Sequence, residues 1–115
     1  MVISSAGAVV LVPFPFSDLS QAKLRPAVVL AHAGRDDWIL CQITSNPYSD
    51  LRAVTLAADD FLAGSLRTVS YARPGKLFTA NAGLVVGQVG SLKSEPFNRI
   101  IATVVDILRG APITQ

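Results

Sequence analysis

The stretch Gly7–Leu30, GAVVLVPFPFSDLSQAKLRPAVVL, decides the fold class. Ala8 to Phe14 is rich in Val and Leu and has the length of a buried strand. Pro13-Phe14-Pro15 is expected to end it, because proline cannot donate into a central ladder. Ser17 to Leu24 reads as a polar loop. Pro26 is expected to open the next strand, where its missing N–H matters least, and Ala27 to Ala31 to continue it.

Outward from this pair the same organisation repeats. His32 to Asp36 reads as a turn around Gly34, and Asp37 to Ser45 as a third strand broken by Asn46-Pro47. Ala53 to Leu56 reads as a short strand, and Ala58 to Leu62 as one helical turn closed by Gly64. Leu66 to Ala72 reads as a strand, Arg73-Pro74-Gly75 as a turn, and Lys76 to Thr79 and Leu84 to Gln88 as further strands. The last element differs in period. Phe97, Ile100, Ile101, Val104, Val105 and Leu108 recur at helical spacing and form one apolar stripe. Ser94 is the expected cap, Glu95 and Pro96 lie in the first turn, and Arg109-Gly110 marks the end. Many short strands followed by one helix predict a mainly β fold, a strongly bent sheet or small barrel with a C-terminal α-helix.

The composition narrows the possibilities. The 115 residues fit one domain, expected over 1–115, and the apolar half of the chain argues against disorder. It also supplies more apolar surface than one small core needs, which points to a second copy or another protein as cover. The longest apolar run, Ala6 to Val12, is far short of the ~20 residues of a membrane span. Met1 to Ser5 lacks a cationic start, so a cytoplasmic location is expected. One cysteine, Cys41, excludes an internal disulfide, and its apolar setting marks it as a packed side chain rather than a nucleophile. A net charge of +2 permits nucleic-acid binding only if the cations gather on one face.

Much familiar chemistry is missing. The sequence has no Cys/His cluster, a single histidine, no phosphate-binding glycine loop and no nucleophile elbow. Asp36-Asp37 and Asp59-Asp60 are adjacent pairs that read as solvated turns or a helix start. What remains is a set of cations and hydroxyls at strand ends: Lys23 and Arg25, Thr44 and Ser45, Arg73 and Lys76. Each alone reads as a solubilising charge or a turn hydroxyl.

In order along the chain, Gly7 to Phe14, Lys23-Leu24-Arg25-Pro26-Ala27-Val28-Val29-Leu30, Gln42-Ile43-Thr44-Ser45, Arg73 to Thr79 and Gly87-Gln88-Val89 together resemble the MazF/PemK family of toxins. The resemblance implies a small SH3-like β-barrel of the CcdB/MazF kind, a homodimer, and metal-independent cleavage of single-stranded RNA (mRNA) without a cofactor. It also implies a toxin–antitoxin pair with a cognate antitoxin protein. Arg25 and Thr44, with Ser45 adjacent, take the catalytic positions. By their chemistry, Lys23, Arg73 and Lys76 are expected to bind flanking phosphates and Phe16 or Tyr48 to stack on a base, with Ser17 and Pro26 beside them as further RNA-binding candidates. One departure stands out: Gly7 is followed by Ala8, where the family commonly has Gly-Asp.

The chemistry is coherent with that assignment. RNA carries its own nucleophile, the 2′-hydroxyl, and a planar guanidinium can hold two oxygens of the crowded phosphorane at once. The general base has no assigned residue. His32 has a suitable intrinsic pKa but lies past the far end of the second strand from Arg25. Other readings stay open at this point: a barrel that binds RNA or protein without cutting, a gyrase-poisoning toxin of the CcdB kind, and a structural protein.

Overall fold

The computed structural model describes residues 5–15 and 22–113. Among the described residues, seven strands and one α-helix follow in chain order. The strands are β1 (Ala8–Pro15), β2 (Ala22–Gly34), β3 (Asp37–Thr44), β4 (Val54–Leu56), β5 (Phe61–Gly64), β6 (Ser70–Asn81) and β7 (Gly87–Leu92); the helix is α1 (Ser94–Leu108). Single 3₁₀ turns at Ala58–Asp60 and Ala82–Leu84 lead into β5 and toward β7. The sheet runs β4-β6-β3-β2-β1-β7-β5, with antiparallel neighbours throughout. Val54 and Leu56 from one edge strand meet Phe61 from the other in a shared core. The sheet is therefore curled into a nearly closed barrel.

Both faces of the central strands are buried. Val9, Val28, Leu30, Cys41 and Ile43 face a core that α1 covers with Ile100 and Val104. Val10, Val12, Ala27, Val29 and Leu40 face a second core closed by Ala80 and Val85. Two-sided burial is why Ala8–Val12 and Ala27–Leu30 read as unbroken apolar runs rather than alternating ones. The α1 stripe packs through Phe97, Ile100, Ile101 and Val104, but Val105 and Leu108, expected in it, are 37% and 75% exposed. Gly110 at φ +72 ends the helix: its N–H donates to the Ile107 carbonyl and that of Ala111 to Asp106. This paired return of bonds is the Schellman arrangement. Among the described residues, no helix is long and apolar enough to cross a membrane.

Several local expectations are corrected. Pro26 does not open its strand but lies inside β2, which begins at Ala22. Pro26 pairs with Leu11 of β1, and the β2–β3 ladder starts only at Ala27, so the missing N–H falls where one side of the strand has not yet been paired. Lys93, not Ser94, is the helix N-cap, which moves Pro96 within the first turn, where no intrahelical donor is lost. The segment Arg73-Pro74-Gly75 is not a turn. It belongs to the continuous β6, where Cys41 pairs with Leu77 and Ile43 with Ala72. One residue of β3, Gln42, thus faces the four residues Arg73–Lys76, which bulge outward and let Pro74 be buried without a ladder bond. The strand expected at Leu66 begins at Ser70, and the one expected over Leu84–Gln88 begins at Gly87. Phe61–Gly64 is a strand that the expected helical turn concealed: the turn stops at Asp60, whose carboxylate accepts from the Ala57 N–H at 2.8 Å.

Gly64 and Gly90 sit opposite each other where β5 meets β7. Gly64 has φ +67, and a Cβ on it would land on the Val89 carbonyl; a Cβ on Gly90 would lie 2.7 Å from the Ala63 carbonyl oxygen. Alanine at either position is expected to lower the unfolding free energy measured in urea, by more than about 2 kcal/mol for Gly64→Ala, where backbone strain adds to the clash. Gly87→Ala, with open space around it, is the control and should cost less than about 1 kcal/mol. Cys41 is fully buried and its thiol donates to the Arg73 carbonyl at 3.2 Å. Burial, with the Asp50 charge adding to it, pushes this thiol up to about 12. At pH 8 the folded protein should resist thiol reagents, with thiolate reduced on the order of a thousandfold, and should react promptly once unfolded in guanidinium. Comparable labelling rates before and after unfolding would contradict this burial.

Candidate active site

Strand alternation sorts the candidate residues by face. In β2, Ala27 and Val29 point into the second core, so Arg25 and Lys23 continue the same face. In β3, Trp38 and Leu40 do so, and Gln42 and Thr44 continue it. Ala27 pairs with Gln42. Arg25 and Thr44 each lie two positions beyond this last pair, on the same sheet face. Arg25 is half-buried beside Val12 of β1, and Tyr71 of β6 pairs with Thr44 on its other side. One end of the second core thus passes from apolar residues into a cationic and hydroxyl-bearing patch.

The loop after Thr44 is built from successive local bonds. The Asn46 N–H donates to Thr44 Oγ1 at 3.2 Å, and the Tyr48 N–H to Asn46 Oδ1 at 2.9 Å. Because the Thr44 oxygen accepts that bond, its hydrogen is left to donate outward. Tyr48 and Ser49 both take the left-handed conformation, at φ 53 and φ 61. Asp50 closes the loop. Its backbone N–H donates to the Pro47 carbonyl, and its own carbonyl accepts from Ala53. Its carboxylate accepts from the Arg52 N–H at 2.9 Å and from Arg73 Nε at 3.0 Å. Burial alone would raise the Asp50 carboxyl. The bond from Arg73, then that from Arg52 and the charges of both arginines, outweigh this and hold it below the ordinary carboxylate value. The Arg73 guanidinium also lies 5.7 Å from the centre of the Tyr48 ring.

The remaining candidates are distributed as follows. Ser45 is exposed directly after Thr44. Pro26 neighbours Arg25 on β2, and Lys76 is exposed at the end of the β6 bulge. Phe16 and Ser17 lie outside the described residues. Phe14 is half-buried and packs edge-on against Phe78, with ring centres 5.3 Å apart. His32 is seven positions along β2 from Arg25, roughly 23 Å away, bonded to the Arg35 carbonyl and packed against Trp38. Ala8, where the family's acid would stand, is buried in the second core, roughly 13 Å along β1 from the level of Arg25.

Asp50 is the residue that sequence reading missed. It sits in a Ser/Asn/Pro/Asp run that reads as a turn, and its partner Arg73 is 23 positions away. Only tertiary structure joins them. Among the described residues, no three His, Cys, Asp or Glu side chains gather as a metal site would require.

Comparison with known proteins gives this arrangement its context. Residues 5–108 match the family model of PemK-like, MazF-like toxins of type II toxin–antitoxin systems. No curated protein sequence matches significantly. MazF of Deinococcus radiodurans superposes with a TM-score of 0.74 at 19% identity, covering 95% of this chain and 99% of its own. The MazE–MazF complex of the same bacterium gives 0.75 at 18%, covering 95% and 98%. An endoribonuclease from a mycobacterial species gives 0.71 at 14%, covering 97% and 96%. At such identities the structural likeness is one of fold: a small β-barrel with a C-terminal helix. The family match spans almost the whole barrel and its helix, and the chain belongs to the PemK-like, MazF-like toxins of type II toxin–antitoxin systems.

Proposed function

We propose that this protein is an endoribonuclease that cleaves single-stranded RNA, acting as the toxin of a toxin–antitoxin pair. The observation that carries the reading is that Arg25 of β2 and Thr44 of β3 continue the same sheet face, each two positions past the paired Ala27 and Gln42. Structures of the same fold named as endoribonucleases, one with its cognate antitoxin, support it.

The 2′-hydroxyl oxygen attacks the adjacent phosphorus, and the bond from phosphorus to the 5′-oxygen breaks. The products are a 2′,3′-cyclic phosphate and a 5′-hydroxyl. Arg25 donates two hydrogen bonds to the non-bridging oxygens as their charge grows. Thr44 donates a third through the hydrogen that its bond from Asn46 leaves available. Asp50 is poorly placed to act as base, since both carboxylate oxygens already accept bonds and its pKa is lowered. Proton transfer is assigned to water. Lys23 and Lys76 hold flanking phosphates. Arg73, first expected among them, is largely neutralised by Asp50 and leaves that set. Single strands are favoured because the attacking hydroxyl must swing in line with the leaving oxygen, which a regular duplex resists.

A homodimer would extend the cationic patch, and an acidic, partly disordered antitoxin segment would block it. The protein acts in the cytoplasm in this reading, on mRNA.

Arg25→Ala should lower the cleavage rate of single-stranded RNA by ~100–1000-fold, and Thr44→Val by a smaller factor, with circular dichroism unchanged. The assay is run in chelator, and the ends of the products are identified by mass. Full activity in Arg25→Ala would sink the assignment. Intact RNA with wild-type protein, together with DNA damage signalling on induction, would favour the gyrase-poisoning alternative. Binding without cleavage would favour the non-catalytic barrel.

A further inference from the structure

Tyr48 combines features that a simple surface turn does not need. It is 66% exposed, yet its backbone is left-handed and is followed by a second left-handed residue, Ser49. Such a conformation is unfavourable for any residue bearing a Cβ, and it persists only where surrounding contacts impose it. Those contacts are present. Asp50 closes the loop through its own backbone, and its carboxylate draws in Arg73. The ion pair is well shielded, with side chains 19% and 17% exposed. The guanidinium held in this way supports the Tyr48 ring by a cation–π contact.

The result is an aromatic ring presented outward and held from within by the Arg73 guanidinium. The loop starts directly after Thr44, and the strand carrying Arg73 pairs with Thr44 through Tyr71. The platform is therefore attached to the residue that the mechanism places on the scissile phosphate. A flat exposed ring offers a π face to a nucleobase, whereas a flexible one would lose entropy on every encounter.

We propose that Asp50 and Arg73 are positioning residues that fix Tyr48 as a stacking platform for a nucleobase beside the scissile phosphate, and so select which RNA sites are cut. The proposal rests on the endoribonuclease reading for its consequence in cleavage, but base stacking on Tyr48 is measurable by itself. Arg73 acts through Tyr48 here, not on the phosphate.

The experiment pairs cleavage with stacking. Wild-type cleavage sites are mapped first. Oligonucleotides are then made with 2-aminopurine at each position near the site and one 2′-deoxy sugar at the cut nucleotide to prevent cleavage. Wild type and Tyr48→Phe should quench 2-aminopurine fluorescence at one position, and Tyr48→Leu should not. Tyr48→Leu, Arg73→Ala and Asp50→Ala should raise KM by about 5- to 150-fold, the size of one base–aromatic stack, with kcat changed less than about threefold. Their cleavage should also spread to sites that wild type leaves uncut. Undiminished quenching in Tyr48→Leu, or an unchanged KM and site pattern in Asp50→Ala, overturns the proposal. If Asp50→Ala fails to fold, the exposed Tyr48 variants decide it. If wild type cuts no RNA, quenching is read on all-ribose strands: stacking lost in Tyr48→Leu then upholds the platform while the nuclease reading falls.

Discussion

The register between β2 and β3 is the constraint on which the rest depends. Val28 and Leu30 face one core and Ala27 and Val29 the other, against Cys41 and Ile43 on one side and Leu40 on the other. Slipping one strand by a single residue would exchange the faces and turn Arg25 toward the side that α1 covers. A guanidinium there would lose its hydration without a partner, at a cost no local bond could offset. The apolar middle of the hairpin thus determines where its polar end can be. That Arg25 and Thr44 share one sheet face is a consequence of packing several residues away.

The same economy appears on β6. Four residues opposite one make the strand longer than its partner requires, and the excess carries both Arg73 and the buried Pro74. The bulge brings the Arg73 carbonyl onto the Cys41 thiol and its guanidinium onto Asp50. A core contact and a loop anchor therefore issue from one residue, through its main chain and side chain respectively.

What could be read from the sequence follows from how local each cause is. The two-sided runs Ala8–Val12 and Ala27–Leu30 and the helical stripe from Phe97 carry their own periodicity, so the strands and the terminal helix were legible. Arg73-Pro74-Gly75 was misread because a Pro-Gly pair signals a turn locally, whereas the four-to-one mismatch that makes it a bulge is a property of two strands. Phe61–Gly64 went unseen because its strand character comes from closing the barrel against β7. Leu108 fits the stripe but extends beyond the sheet it should cover, and stays exposed. Arg25 and Thr44 were singled out through resemblance, while the Asp50–Arg73 ion pair was not visible, since it joins residues far apart along the chain.

The loop after Thr44 is tied to itself and to one guanidinium, not to either apolar core. Substitutions at Ser45 to Ser49 leave the interior of the barrel untouched. The loop can therefore change its side chains without repacking the barrel.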